Sequence, residues 1–191
     1  MKYPYSKVYK LYTGLKKNNV ETSMIQEIMK GGEEIEAGSS PMDKSNWFSE
    51  AMKKMENLLD HQKRVQIREC CACNLGGKRL KLTTEIRDQY STFEDRIRAA
   101  NDTKYIFGHS VELMENGKIK VQFQPDNSSH TVCSCLPGEF NKLSLTYCYC
   151  CGGYVKNHLQ AILGETLKCT VQSSATNSGG EKPCTFILER T

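Results

Sequence analysis

Apolar positions recur at helical spacing through the first hundred residues and alternate in much of the remainder, so the chain changes period partway along. Val8, Leu11, Tyr12 and Leu15 mark one face of a helix whose end Gly14 weakens. Thr22 or Ser23 caps a second turn carrying Ile25, Ile28 and Met29 before a Gly31-Gly32 stop. A polar linker over 33–39 follows. Ser40-Pro41-Met42-Asp43 then has the form of a capping box, with Pro at the first helical position, where its missing N–H is no loss. The helix it opens buries Trp47, Ala51, Met55, Leu58 and Val65, and delivers the chain to Cys70. After Gly76-Gly77, the intervals of four, three and four between Ile86, Tyr90, Phe93 and Ile97 predict one further helix.

Beyond Asn101 the pattern alternates. Val111-Glu112-Leu113 and Ile119-Lys120-Val121-Gln122-Phe123 flank Glu115-Asn116-Gly117. A three-residue loop with Gly117 left-handed pairs Leu113 with Ile119 and Val111 with Val121, which keeps the apolar residues on one face. The same register sets His109 opposite Phe123. Residues 124–129 read as a loop, and Pro137-Gly138 as a turn. Leu143, Leu145, Tyr147 and Tyr149 alternate with Ser144, Thr146, Cys148 and Cys150, predicting a strand with two thiols on one face. Gly152-Gly153 then opens a helix over 154–163 capped by Gly164, and strands near 167–171 and 184–188 finish the chain. The prediction is an α+β protein: a helical N-terminal half (1–100) packed on a C-terminal antiparallel sheet with one inserted helix (101–191), the two forming one compact unit.

Composition leaves the fold picture unchanged and narrows the chemistry. The 191 residues are 38% hydrophobic and have no apolar run near the ~20 residues of a membrane helix, nor a signal-peptide-like N-terminus, so the expected address is the cytoplasm. Net charge is +4, with the signs interspersed. Lys78-Arg79-Leu80-Lys81 is short enough to be solvated surface, which leaves nucleic acid as a minor reading. No P-loop, G-x-S-x-G elbow, H-E-x-x-H helix or G-x-G-x-x-G follows a strand or opens a helix.

The ten cysteines carry the signal. Eight lie in three knots: Cys70, Cys71 and Cys73; Cys133 and Cys135; Cys148, Cys150 and Cys151. In an extended strand, residues two apart have Cα atoms roughly 6.6 Å apart on one face. A disulfide wants converging Cβ atoms about 3.8 Å apart, whereas sulfurs bound to one tetrahedral zinc at ~2.3 Å meet more easily. Clustered thiols in a reducing compartment therefore point to a metal-thiolate site, zinc by frequency, with an iron-sulfur cluster as the alternative. Cys133/Cys135 and Cys148/Cys150 facing each other across a hairpin would supply four thiolates. Cys70, Cys71 and Cys73 would hold a second metal or replace one ligand. Cys151, at the expected helix start, sits where the dipole favours a thiolate. Cys169 and Cys184, among alternating apolar residues, read as core. A catalytic pair from Cys151 and His158, or Cys148 and His109, is a weaker reading, as are acid–base roles for Glu112 and Glu165.

From Tyr147 to Leu188, the run Y-C-Y-C-C-G-G-Y-V-K-N-H, a helix closing on Leu163-Gly164, a strand, Ser173-Ser174 and the ending Cys184-Thr185-Phe186-Ile187-Leu188 resemble the C-terminal half of vinyl-reductase-type ligand-binding domains. The same stretch is similar to the ending of the L-2-amino-thiazoline-4-carboxylic acid hydrolase-like family, and the C-x-C knots resemble an uncharacterised cysteine-rich bacterial branch of that group. The resemblance implies a helix-packed antiparallel sheet that binds small hydrophobic or heterocyclic ligands, sometimes beside a metal, with Cys184 matching a family cysteine. Ser173 and Ser174 stand where the vinyl-reductase pattern has a partner for it, and no hydrolase catalytic residue finds a counterpart here. The functional expectation is a metal-binding protein with a small-molecule or sensing role, a homodimer being among the assemblies the sequence allows. The alternatives are a hydrolase of cyclic carbon–nitrogen bonds and a thiol–disulfide redox protein.

Overall fold

The structure is a computed structural model that describes residues 3–74, 76–103, 108, 110–123, 133, 135–136 and 142–191. Helices α1 (Ser6–Lys17), α2 (Thr22–Met29), α3 (Pro41–Leu58), α4 (His61–Cys70), α5 (Lys78–Gln89) and α6 (Phe93–Asp102) precede β1 (Ser110–Leu113) and β2 (Ile119–Phe123). Then follow α7 (Leu145–Leu163), β3 (Leu167–Ser173), the single turn α8 (Ala175–Ser178) and β4 (Cys184–Arg190). The four strands form one antiparallel sheet in the order β1-β2-β4-β3, so the last strand lies inside it. This is the α+β architecture expected from the change of period.

The β1–β2 hairpin has the register that keeps its apolar face together. Leu113 pairs with Ile119 and Val111 with Val121, and Gly117 takes a φ of 76° that a side chain would resist. Val121 in turn opposes Phe186 on β4, and Cys169 opposes Leu188 across β3–β4. One hydrophobic cluster runs from Val8, Leu11 and Leu15 through Phe48, Met52 and Ile67 to Leu159, Phe186 and Leu188. Cys169 and Cys184 are buried within it.

Four expectations are corrected. The single helix expected from Pro41 to Cys70 breaks at Leu59-Asp60, where Asp60 accepts the Lys63 amide at 2.7 Å and caps α4; Leu58 is left 37% exposed. The helix expected through Tyr90 and Phe93 breaks likewise, because Thr92 accepts the Asp95 amide and starts α6. At each break a side-chain acceptor satisfies amides of a new first turn, which competes with continuing the old helix. Neither Thr22 nor Ser23 caps α2, which begins after Glu21 without a side-chain cap, whereas Ser40 caps α3 as expected, accepting the Asp43 amide at 3.0 Å behind Pro41.

The fourth correction shapes the site. The alternating segment before Gly152 is the first two turns of α7, not a strand, and Gly152-Gly153 lies in the middle of that helix. Buried residues surround α7 on all sides, among them Thr146, Tyr147, Cys148, Tyr149, Val155, His158 and Leu159. A helix enclosed all round needs no polar face, so six alternating residues fit it as well as they fit a strand. The glycines let it in: a Cβ on Gly153 would fall 2.8 Å from the Glu69 carbonyl oxygen of α4, and one on Gly152 would fall 3.1 Å from Cys169 Sγ of β3. His109, the 124–129 loop and Pro137-Gly138 lie outside the described residues.

Candidate functional site

Two short pieces of backbone bring four thiols together. Cys133 and Leu136 close on each other through the Leu136 amide, which donates to the Cys133 carbonyl at 3.1 Å, with the Cys135 amide donating to the Cys133 sulfur. Opposite, Cys150 and Cys151 leave adjacent positions of α7 with their sulfurs 4.0 Å apart. Cys135 is the common partner, accepting from the thiols of Cys133, Cys150 and Cys151. Cys133 is buried and the other three are partly buried; all ten cysteines are free thiols.

The electrostatics follow from one acceptor facing three donors. The Cys135 thiol is held far below the ordinary thiol value by the bonds from Cys133, Cys150 and Cys151, with Lys7 adding attraction and burial opposing. Its partners move the other way. Cys133 is raised by its bond to Cys135 and then by burial. Cys150 is pushed up to about 12, first by its bond to Cys135 and then by burial, against the lowering influence of Cys151 and Arg68. Cys151 is raised by its bonds to Cys135 and Cys150 and by burial.

Two cations serve it. Lys7 of α1 donates to the Cys135 carbonyl at 2.8 Å; burial disfavours its charge, but the Cys135 thiolate and Tyr5 more than offset this and raise its pKa. Arg68 of α4 is only 2% exposed. It donates through Nη2 to the Tyr147 carbonyl at 2.7 Å and lies over the rings of Tyr147 and Phe48, at 5.0 and 6.0 Å. Burial opposes its charge, yet the fields of Cys150, Cys71, Tyr147 and Cys148 prevail and raise its pKa.

The other sequence-selected residues lie elsewhere. Successive α-helical residues are about 100° apart around the axis, so Cys148 and Cys150 diverge by about 200°. Cys148 is buried against Thr176 Oγ1 at 3.3 Å, on the α8 side of the helix. The strand-based pairing of Cys148 with Cys150 is therefore replaced by the adjacent pair Cys150 and Cys151, and Cys151 lies inside a helix and not at its start. Cys71 turns toward the carbonyls of Ile67 and Lys10, at 3.3 and 3.5 Å, while Cys70 and Cys73 are exposed. His158 lies 2.8 Å from the Tyr154 carbonyl through Nδ1. Glu112 and Glu165 form ion pairs with Lys120 and Arg190. Sequence reasoning passed over Arg68 and Lys7, because a single basic residue in a helix has no signature of burial.

Among the described residues no group of three or more His, Cys, Asp or Glu is already arranged to hold a metal ion. A separate cleft of about 380 Å³, between α1 and α2, is lined by Tyr3, Tyr12, Ile25, Met29, Lys16 and Glu33 and carries no cysteine. No helix among the described residues is long and apolar enough to cross a membrane.

No curated protein matches the chain. Among solved structures, an H-NOX protein from S. oneidensis, crystallised in its Fe(II)NO ligation state, is similar at 11% identity and a TM-score of 0.43, covering 97% of this chain and 98% of its own. A likeness that slight carries neither fold nor function across. The resemblance to vinyl-reductase-type domains and to the thiazoline-carboxylate hydrolase-like family finds no support in these matches. A family pattern does match residues 5–185, and the chain belongs to DUF6144, a family of unknown function.

Proposed function

We propose that the protein binds a soft metal ion, zinc before iron-sulfur, through Cys133, Cys135, Cys150 and Cys151, and that the ion ties the backbone carrying Cys133 and Cys135 to α7. The observation that carries this reading is the convergence of four thiols on one another, with Cys135 as the shared partner. The donor set suits a soft cation: four sulfurs match a closed tetrahedral site of structural type. Loading would release the protons of Cys133, Cys150 and Cys151 and draw the sulfurs from their proton-sharing positions around the ion. Affinity then falls at acid pH, where protons compete for the sulfurs. A small-molecule or sensing role would use the cleft between α1 and α2, whose lining is mainly apolar and aromatic.

The test is elemental analysis with an absorbance spectrum on protein purified without oxygen. Stoichiometric zinc is expected in the wild type and in Cys148→Ser, and loss of metal with a lower melting temperature in the Cys150→Ser/Cys151→Ser double variant. Metal retained by the double variant would overturn the assignment. A hydrolytic centre would differ by leaving one coordination position open, so three protein ligands in place of four would favour that alternative.

A thiol–disulfide role is the second reading, favoured by a partly exposed thiolate with three thiols in reach and no ready metal geometry. In that case a two-electron oxidant would take two electrons as Cys135 joins one neighbour in a sulfur–sulfur bond, and the neighbour's thiol proton would be lost. Metal-free protein showing reversible loss of two free thiols would select it.

A further inference from the structure

The cleft between α1 and α2 sets three charged side chains beside an apolar lining. Tyr3 and Tyr12 pair within it, their ring centroids 5.2 Å apart and their planes tilted by 49°. Met29 of α2, almost wholly buried, adds to the same lining. Lys16, Lys30 and Glu33 also line the cleft, and all three are exposed. None of the ion pairs among the described residues uses any of them. Lys16 instead stands with Nζ over the Tyr12 ring, 5.6 Å from its centre.

The turn that brings Glu33 to the cleft is fixed from the core side. Gly31 takes a φ of 77°, and a Cβ on Gly32 would fall 2.8 Å from Cζ2 of Trp47 and 3.0 Å from Cγ1 of Val8. The Trp47 indole N–H donates to the Lys30 carbonyl at 3.1 Å. A buried ring therefore holds the backbone that carries Lys30 and Glu33, and leaves their charges to meet something else.

We propose, resting on the small-molecule reading of this cleft, that it binds an aromatic α-amino acid: the ring lies on the apolar lining, the carboxylate meets Lys16 and Lys30, and the ammonium meets Glu33. At about 380 Å³ the cleft is at the small end of ligand pockets, which suits one ring on a short polar chain. The charge pattern selects the zwitterion. A carboxylate alone leaves Glu33 without a partner, and an amine alone meets two lysines of its own sign, whereas charge-assisted hydrogen bonds of both signs are the strong ones. The bland alternative is that Lys16 and Lys30 only complement the C-terminal ends of α1 and α2, with Glu33 a solvated carboxylate. Charge on a ligand would then change little.

Trp47, the single tryptophan of the chain, reports on the turn. Titration with L-phenylalanine, followed by Trp47 emission and by calorimetry, should show saturable binding. Affinity should exceed that for hydrocinnamate, which lacks the ammonium, and for phenethylamine, which lacks the carboxylate, by about 10-fold each, the size of one charge-assisted hydrogen bond. Glu33→Gln should erase the preference over hydrocinnamate, and Lys16→Gln with Lys30→Gln the preference over phenethylamine. The three side chains are exposed, so circular dichroism should not change. No saturable response to any of the three probes would remove the small-molecule reading of the cleft together with the amino-acid assignment. Equal affinity for the three, or tighter binding of a singly charged one, would keep the cleft as a ligand site and overturn the amino-acid assignment alone. L-phenylalanine binding unchanged in both variants would overturn it too, by placing the ligand away from these side chains.

Discussion

Gly153→Ala tests the contact that places α7 beside α4. The new methyl would lie 2.8 Å from the Glu69 carbonyl oxygen, 2.9 Å from its Cα and 3.2 Å from its carbonyl carbon. All three are backbone atoms, so no side-chain rotation relieves the overlap. Ordinary contact begins near 3.4 Å, and the two helices must therefore part by about 0.6 Å. Overpacking of this kind costs about 1–3 kcal/mol, while alanine in a helix interior returns about 1 kcal/mol over glycine. The net expectation is a loss of about 1 kcal/mol, or about 2–4 °C in melting temperature for a chain of this length. Gly152→Ala is the control, since its methyl is crowded only by a side-chain atom, the Cys169 sulfur at 3.1 Å, with Phe186 and Val171 at an ordinary 3.7 Å, and propensity and crowding there nearly cancel. Urea denaturation of both variants at neutral pH measures the difference. A Gly153→Ala protein as stable as wild type, or more so, would show that the Glu69 contact does not set the helix spacing.

Asp60→Ala should destabilise by about 1 kcal/mol, because the Lys63 amide loses its acceptor and α4 its cap; urea midpoints check it, and a change within error would mean that the break between α3 and α4 is fixed by packing alone. Cys169 predicts a pH effect: burial first, and then Glu69, push its thiol up to about 12. Its folded pKa lies above the unfolded value of about 8.5, so its contribution is whole below the unfolded pKa and declines as pH rises toward 12. Unfolding free energies from pH 8.5 to 11 should fall less steeply in Cys169→Ala than in wild type, by up to about 1.4 kcal/mol per pH unit, and identical slopes would refute the assignment.

What the sequence made legible was local and periodic. The hairpin register followed from keeping Val111, Leu113, Ile119 and Val121 on one face, and the structure has that pairing. Ser40-Pro41 opened a helix, Gly164 closed one with a φ of 73°, and the last two strands lie where alternation placed them. The thiol cluster was legible as a chemistry but only partly as a geometry. Cys133, Cys135 and Cys150 come together, Cys151 joins them, and Cys148 turns away, because the segment that carries them coils where an extended chain was expected. Alternation cannot separate a half-buried strand from a helix enclosed on every side. The caps at Asp60 and Thr92 were passed over, because continuous apolar spacing across them favoured unbroken helices.

The glycine contact and the buried arginine belong to one interface. Glu69, whose backbone receives Gly153, directly follows Arg68, and its carboxylate pairs with Lys156 one turn further along α7. Arg68 can donate to the Tyr147 carbonyl only if α4 and α7 run this close, since 2.7 Å leaves no slack in that bond. Cys150 and Cys151 follow Tyr147 on the same helix, so the spacing fixed by Gly153 also sets where the helix carries those two thiols. Parting the helices by about 0.6 Å stretches the Arg68–Tyr147 bond, so Gly153→Ala should lose part of it, and its stability loss in urea should shrink once Arg68→Met has already removed the bond. Equal losses in the two backgrounds would separate the packing of α7 from the Arg68 bond.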